Sequence, residues 1–283
     1  MKSVRIFQDD ILTETATHLR SILGPEMDAI KVQRAVIGIF FSGVRLSNGE
    51  GGICFTPVKE IPEAVCCPSS ARAMPNSGKL AGQPVAEYID RLREGGPLQK
   101  ALGIAVLNAL SSTFWRDNHP ADYNLKMGVD PVENKIISDD ANVVVIGALV
   151  PYIRMLKKRG RPFHILEKDP RTLKADEMPY FCPQEKAREC IASADLLIIT
   201  GTTLINNTLE DILCQMQSGA EAVLVGPTAS MLPEAFFRRG IKAIGGITVT
   251  DPDKLLDTLS EAGSGYHFYG KSAERLVIDR NQS

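Results

Sequence analysis

The stretch from Asn142 to Gly160 constrains the fold more than any other part of the chain. It begins with the apolar run Val143-Val144-Val145-Ile146, continues with Gly147, and ends in a helical pattern that stops at Gly160. A buried strand, a glycine and a helix in this order are typical of the first βα turn of a parallel α/β sheet. Such a turn aims free backbone N–H groups and the positive end of a helix at the space above the sheet, where anionic or nucleotide-like ligands bind.

The second half of the chain alternates regularly between strand and helix patterns. Strands are predicted near Asn142–Ile146, Pro162–Leu166, Asp195–Thr200, Ala222–Gly226 and Ala243–Ile247. Helices are predicted at Val150–Arg159, Gln184–Ala192, Asn206–Ser218, Pro233–Arg239 and Pro252–Glu261. This alternation predicts an α/β fold with a doubly wound parallel sheet.

The first half of the chain has a different pattern, which predicts a small α+β domain. A helix over Asp9–Leu23 is followed by a strand over Arg34–Ser42, turn residues over 44–52 and a second strand over Ile53–Pro57. Asn48-Gly49 within the turn is typical of tight hairpins. Two helices, Pro84–Arg93 and Pro97–Trp115, complete the unit. We therefore expect a first domain over 1–118, a connection over 119–141 and a ligand-binding domain over 142–283.

Composition excludes several classes of partner. The chain has 283 residues and a net charge of −2, without the basic surplus of a dedicated nucleic-acid binder. No run approaches the roughly 18 apolar residues that cross a bilayer, and the amino terminus lacks a signal-peptide pattern. We expect a cytoplasmic protein that binds a small molecule and neither nucleic acid nor membrane, with a homodimer as the default assembly.

Candidate ligand-binding residues follow from the rule that ligands bind outside the carboxyl ends of parallel strands. The predicted strand ends carry small, hydroxyl, amide or acidic residues: Gly147, Glu167, Thr200, Gly201, Thr202, Asn206, Gly226 and Thr228. Glycine lets the backbone approach a ligand, and the side chains offer hydrogen bonds. The alternative is that the glycines serve turns and that the polar residues cap helices. The first loop also lacks the full G-x-G-x-x-G fingerprint of dinucleotide sites.

Acid–base and metal chemistry are less clearly indicated. Glu50, Asp117, His119 and Glu167 are the candidates for proton transfer, and no catalytic residue is assigned. The adjacent pair Cys66-Cys67 is a candidate soft-metal or redox site, with an ordinary loop as the alternative. The remaining cysteines and the histidines show no zinc-like spacing, so no metal ligand is assigned.

Four segments together resemble a known family. They are Asn108-Ala109-Leu110-Ser111, the Val-Val-Val-Ile-Gly run at 143–147, Thr200-Gly201-Thr202-Thr203-Leu204-Ile205-Asn206, and Val225-Gly226-Pro227-Thr228-Ala229. The chain resembles the putative heavy-metal chelation family, formerly a domain of unknown function, over essentially its whole length. The resemblance implies an enolase N-terminal-like domain followed by a Rossmann-like domain.

The resemblance also implies a function in the cleft between the two domains. The expected ligand is a small anionic or heterocyclic metabolite of pterin, flavin or siderophore type, bound or processed in connection with heavy-metal chelation. Asn108 would face this cleft opposite Thr202, Asn206 and Thr228, and a metal would be held through the bound molecule. Two alternatives stay open: a methyltransferase that binds S-adenosylmethionine with Glu167 on the ribose, and a non-catalytic protein that binds or delivers metal.

Overall fold

Two β-sheets and the helices packed against them make up the fold, in a computed structural model that describes residues 7–61, 70–74, 76–133 and 135–281. The strands are β1 (Val32–Ile37), β2 (Phe41–Leu46), β3 (Gly51–Phe55), β4 (Tyr123–Met127), β5 (Val143–Ile146), β6 (Phe163–Leu166), β7 (Leu196–Thr200), β8 (Glu221–Val225), β9 (Ile241–Val249) and β10 (Ala273–Arg280). The helices of the first half are α1 (Ile11–Leu23), α2 (Pro25–Ala29), α3 (Ser70–Ala73), α4 (Val85–Ile89), α5 (Arg91–Glu94) and α6 (Pro97–Asp117). Those of the second half are α7 (Val150–Arg159), α8 (Ala187–Ser193), α9 (Leu209–Gln215), α10 (Glu234–Arg238), α11 (Pro252–Ser260) and α12 (Gly265–Phe268).

The larger sheet has seven strands in the order β4-β10-β9-β8-β7-β5-β6. The five strands from β5 to β9 are parallel, as the sequence predicts. The helices cover both faces: α7 buries Ile153 and Leu156 on one face, whereas α9 and α10 contribute to the core cluster on the other. Counted along the chain, the parallel strands lie in the order 2-1-3-4-5, which is one of the two common doubly wound arrangements.

The far edge of this sheet corrects two sequence predictions. The segment 119–141 is not merely a connection, because it contains β4, which pairs antiparallel with β10. Strand β10 in turn pairs antiparallel with β9 and extends the sheet beyond the predicted last strand. The partners in β4 and β10 lie some 150 residues apart in the chain, for example Tyr123 with Arg280. Local hydrophobic patterns do not report pairing over such a distance.

The smaller sheet contains three antiparallel strands in the order β1-β2-β3. The single strand predicted over Arg34–Ser42 is wrong, since the chain reverses at Gly38-Ile39-Phe40 and forms two strands there. The predicted turn over 44–52 is shorter, because β2 continues to Leu46. A Cβ at Gly38 would lie 2.4 Å from the Leu259 carbonyl oxygen, so glycine is required where the hairpin meets α11.

Each predicted helix has a counterpart in the structure, but several bounds differ, and α2, α3 and α12 were not predicted. The helix expected over Asn206–Ser218 is confined to α9, because residues before it form a 3₁₀ turn over Gly201–Leu204. The helix expected over Pro84–Arg93 is divided into α4 and α5 at Asp90. The loop before α9 is therefore longer than predicted, and it carries three of the candidate site residues.

Helices α6 and α11 bury the two faces of the smaller sheet. A Cβ at Gly52 would lie 2.1 Å from the Ala105 carbonyl oxygen of α6, so β3 and α6 touch through their backbones. On the other face, Leu256 and Leu259 of α11 contact β2 at Gly43. Helix α6 is buried almost all round; it packs on the turn that follows β8 and bonds through Lys100 to the loop that follows β7. Across the described ranges, none of the helices combines the length and the apolar character that a bilayer crossing requires.

Candidate functional site

The switch point of the larger sheet lies between β5 and β7, because the chain leaves β5 for β6 on one side and returns to β7 on the other. Ligands of doubly wound folds bind in the crevice outside the strand ends at such a point. Gly147 follows β5, and Thr200 is the last residue of β7. Gly147 has a φ of +98°, and a Cβ there would lie 2.8 Å from Thr200 Cγ2. Glycine therefore allows the two strand ends to approach each other.

The loop after β7 places hydroxyl groups at this crevice. Thr200 Oγ1 accepts hydrogen bonds from the Thr202 backbone N–H (3.4 Å) and from Thr202 Oγ1 (3.2 Å). Thr203 Oγ1 donates to the Thr200 carbonyl oxygen at 2.7 Å and is buried. Thr200 and Thr202 are only half-buried. Thr203 thus stabilises the loop, whereas the Thr200 and Thr202 hydroxyls lie where a ligand could contact them.

Asn206 connects this loop to the end of β6. In the orientation that satisfies its neighbours, its amide donates to the Thr203 carbonyl oxygen (3.2 Å) and to Thr208 Oγ1 (2.6 Å). The amide oxygen accepts from Lys168 Nζ at 3.1 Å. Lys168 is exposed and lies two residues beyond β6. The bond brings a positive charge to the crevice, where the predicted Thr202 and Asn206 already provide hydrogen-bonding groups.

Glu167 lies at the end of β6, beside Gly147, whose N–H donates to the Leu166 carbonyl oxygen at 2.8 Å. Glu167 is half-buried, and its Oε1 accepts from the Asp169 N–H at 3.0 Å. Asp169 forms ion pairs with Arg171 (2.8 Å) and with Lys59 (2.6 Å). These two cations hold the pKa of Asp169 below its usual range. The Lys59 pair is a surface contact between the first half of the chain and the residues after β6.

Asn108 and Thr228 lie together, but in a tightly packed interface. Both side chains are about 2% exposed. Asn108 Nδ2 is within hydrogen-bonding distance of three carbonyl oxygens, those of Ile53 (2.8 Å), Pro227 (3.2 Å) and Thr228 (3.2 Å). Thr228 Oγ1 accepts from the Phe55 N–H at 3.1 Å. These bonds join β3, α6 and the turn after β8, and within the described residues Asn108 Oδ1 has no hydrogen-bond partner.

The two predicted glycines of this region adjoin the same interface. Gly226 follows β8 with a φ of +118°, which begins the turn that carries Thr228. A Cβ at Gly201 would lie 3.2 Å from Thr228 Cβ. The predicted residues therefore form two adjoining groups. Gly147, Glu167, Thr200, Thr202 and Asn206 surround the switch point, whereas Asn108, Gly201, Gly226 and Thr228 lie at the contact with α6.

The predicted acid–base residues do not lie together in the structure. Glu50 and Asp117 share one partner, Arg116, at 3.3 Å and 2.9 Å, and burial raises the pKa of Glu50. His119 is exposed just beyond α6. The contacts of Glu50 and Asp117 include no residue of the switch point, so Glu167 is the carboxylate placed there. Their role in proton transfer stays a prediction.

A metal site composed of protein side chains alone does not emerge from the described ranges. No group of three or more His, Cys, Asp or Glu side chains is placed to hold a metal ion there. The predicted pair Cys66-Cys67 lies outside the residues that the structure describes. At the switch point, the available groups are hydroxyls, an amide, a carboxylate and an ammonium. This set is suited to hydrogen bonding with the oxygen and nitrogen atoms of an organic ligand.

Comparison with known proteins assigns the family. Two family profiles, both described as putative heavy-metal chelation, match residues 20–111 and 130–278. The chain belongs to this family. An uncharacterized protein of Methanocaldococcus jannaschii is 31% identical over 192 residues, which cover 66% of this chain and 68% of that protein.

Two crystal structures of family members show the same fold. A DUF364-family protein of unknown function from Pyrococcus horikoshii aligns over 95% of this chain and 100% of its own, with a TM-score of 0.73 and 19% identity. Another, from Desulfitobacterium hafniense, aligns over 93% and 98%, with a TM-score of 0.63 and 17% identity. At this level of identity, the likeness concerns the fold alone.

Two lysines near the site, Lys168 and Lys100, were not among the residues predicted from the sequence. Lys168 stands next to the predicted Glu167, but its bond to Asn206 depends on the packing of two separate loops. Lys100 of α6 is 7% exposed, and its Nζ donates to Asn207 Oδ1. A signal for Lys100 was present, because it is the only charged residue between Pro97 and Phe114. One charged residue in a largely apolar helix indicates that its side chain is buried and has a polar partner.

Proposed function

We propose that this protein binds a small anionic or heterocyclic metabolite at the β5/β7 switch point, in connection with heavy-metal chelation. The observation that carries the proposal is that Thr202 bonds to Thr200, which approaches Gly147, while Asn206 of the same loop accepts from Lys168. Half-buried hydroxyl and amide groups next to an ammonium are suited to an anionic or heterocyclic molecule with oxygen and nitrogen acceptors. The family description supports a link to metal, which the donors of such a molecule would chelate.

Native mass spectrometry of the freshly purified protein, with elemental analysis of the same sample, tests this proposal. We expect a stoichiometric organic mass, with any metal present only when that mass is present. Thr202→Val and Asn206→Ala should each lose the organic mass while the melting temperature changes little. The exposed Thr17 provides a matched control, since Thr17→Ala should retain the mass.

Other results would contradict the proposal. Metal that remains after the organic molecule is removed would indicate direct ligation by the protein. Equal loss of ligand and of melting temperature in the Thr202 and Asn206 variants would indicate that these residues only stabilise the loop. If the protein is purified without any bound mass, titration calorimetry with a pterin, a flavin and a catecholate siderophore decides, and no heat from any of them would exclude the proposed ligand classes.

Glu167 supports a second candidate function, that of a methyltransferase. Its carboxylate stands at the end of the second parallel strand, where an acidic residue accepts hydrogen bonds from ribose in nucleotide-binding sheets. One carboxylate oxygen accepts from the Asp169 N–H. S-adenosylhomocysteine should then bind to the wild-type protein and fail to bind to Glu167→Ala. Absence of binding to the wild type would eliminate this candidate.

A further inference from the structure

Lys100 is a buried cation at the junction of the two halves of the chain. It lies in the first turn of the 21-residue helix α6 and is 7% exposed. Its Nζ donates a hydrogen bond to Oδ1 of Asn207, which is exposed on the loop after β7. The ammonium group therefore ends at the edge of the interface, one residue from Asn206 of the switch point. An ammonium has three protons to donate, and this bond uses one of them.

The charge of Lys100 lacks a close counter-ion. Among the described residues, no carboxylate lies within 4.0 Å of its Nζ, since Lys100 takes part in none of the ion pairs between them. Asp10, Glu60 and Glu210 act on it only from a greater distance. Asp10 caps α1 at the Thr13 N–H, and Glu210 accepts from the Ile11 N–H. Buried lysines are otherwise almost always paired.

The position of Lys100 adds two unfavourable effects. The amino-terminal end of a helix carries a partial positive charge, so a cation in its first turn is repelled. Burial also lowers the pKa of Lys100, because the ammonium loses hydration. An anion placed beside Nζ would relieve both effects.

The partner of Lys100 has a left-handed backbone conformation. Asn207 has a φ of +57°, which asparagine adopts more readily than most residues with a side chain. It directly follows Asn206, whose own amide accepts from Lys168. Adjacent asparagines thus accept hydrogen bonds from lysines of different elements, and both acceptors are neutral amides.

We propose that Lys100 is the buried anion-binding residue of the switch-point site and that it takes a carboxylate or phosphate group of the ligand. The inference deepens the proposed function, because it names the part of the ligand that the protein recognises. The oxyanion would accept hydrogen bonds from the remaining N–H groups of the Lys100 ammonium, while Asn207 accepts the first one. Lys100 thus binds and orients the ligand, and no chemical step is assigned to it.

Thermal unfolding in the presence of inorganic phosphate or citrate tests the inference. In chloride buffer of constant ionic strength, each anion should raise the melting temperature of the wild-type protein. In Lys100→Met, the anion concentration that gives the same increase should be at least ~10-fold higher, as expected when a buried charge pair loses one member. The control Lys271→Met removes an exposed lysine and makes the same change in net charge. It should respond to both anions like the wild type.

The melting temperature without added anion separates binding from a structural role. If no anion pairs with Lys100 in the ligand-free protein, replacing Lys100 with methionine removes an unpaired buried charge. Lys100→Met should then melt at or above the wild-type temperature. A strongly lowered melting temperature with an unchanged response to anions would overturn the inference. So would a wild-type protein that responds to neither anion, or a Lys271→Met response as weak as that of Lys100→Met. A response to phosphate alone or to citrate alone identifies the oxyanion.

Failure of the inference is distinguishable from failure of the proposed function. The organic mass in the native spectrum depends on Thr202 and Asn206, whereas the anion response depends on Lys100. A Lys100-dependent anion response in a protein that binds no organic molecule would retain the inference and reject the proposed function. If Lys100→Met binds an organic ligand as tightly as the wild type does, the proposed function is retained and the inference is rejected.

Discussion

Asn108 shows how one side chain can join elements that are distant in the sequence. Its amide nitrogen lies 2.8 Å from the Ile53 carbonyl oxygen and 3.2 Å from those of Pro227 and Thr228. These carbonyls belong to β3 and to the turn after β8, so Asn108 connects the smaller sheet, α6 and the larger sheet. A buried carbonyl that loses its donor incurs a desolvation penalty.

We therefore expect Asn108→Ala to lower the free energy of unfolding by about 1–3 kcal/mol. Urea denaturation measures this loss, and Asn118→Ala provides the control, because the exposed Asn118 amide donates to a single carbonyl of its own helix. A variant of Asn108 that keeps full stability but loses the organic mass would instead identify Asn108 as a ligand-binding residue, as the sequence predicts.

Glu50 makes stability depend on pH. Burial raises its pKa above the usual value of 4.5, although Arg116 acts in the opposite direction. The unfolded chain therefore releases this proton at lower pH than the folded protein does. As pH rises from about 4.5 through the folded pKa, Glu50 makes a progressively less favourable contribution to folding.

Glu50→Gln should remove this dependence. Relative to the wild type, the variant should become more stable as pH increases from 4 to 7, and urea denaturation at both values measures the change. The Arg116 contact favours only the ionised form of Glu50, and its effect is already included in the raised pKa. A stability difference that is the same at both values, or that moves in the opposite direction, would contradict the raised pKa.

At the scale of elements, the ends of β5 and β7 meet at the switch point in one close contact, between Gly147 and Thr200. Gly147 after β5 and Thr200 of β7 approach so closely that a Cβ on residue 147 would lie 2.8 Å from Thr200 Cγ2 and 3.0 Å from its Cβ. The φ of +98° at Gly147 is also unfavourable for any residue with a side chain. Gly147→Ala should thus cost about 1–3 kcal/mol of stability and disturb ligand binding.

The steric and conformational parts of this cost can be separated. Thr200→Ser removes Cγ2 but keeps the hydroxyl that accepts from Thr202. The double variant Gly147→Ala/Thr200→Ser should therefore recover part of the lost stability in urea denaturation, with the strain of the backbone angle remaining. No recovery would mean that the Thr200 contact is not what limits residue 147.

The same elements show what the sequence could predict. The parallel strands β5 to β9 carry strong apolar runs, and each was predicted close to its observed place. The hairpin between β1 and β2 was missed because Ile39 and Phe40 extend the apolar pattern through the turn. Strands β4 and β10 were missed because each depends on a partner far away in the chain.

Prediction of the candidate site was also limited by contacts between segments that are distant in the chain. The strand-end rule identified Gly147, Glu167, Thr200, Thr202 and Asn206, which lie at or after the ends of β5, β6 and β7. It could not identify Lys100 or Lys168, because their roles arise from contacts with the loop after β7. Nor could the sequence show that Thr228, and Asn108 from the family resemblance, are buried, because their exposure depends on how α6 packs.

At the scale of the whole molecule, the two halves of the chain share their core. The largest hydrophobic cluster extends from Leu19 of α1 through α6 to Phe236 of α10. A further cluster joins Ile53 of β3 to Leu255 and Leu256 of α11. The smaller sheet is thus buried on one face by α6 and on the other by a helix from the second half. Neither half can unfold without exposing apolar surface of the other.

We expect the protein to unfold in a single cooperative transition for this reason. Calorimetry should show one peak, and hydrogen exchange should give β2 and β9 the same free energy of opening. Leu256→Ala truncates a side chain that is 1% exposed and packs against β2, so it should cost about 2–5 kcal/mol. The free energy of opening should fall equally in both sheets, although residue 256 belongs to the second half. Two separate transitions, or a loss of protection confined to the smaller sheet, would show that the halves fold independently.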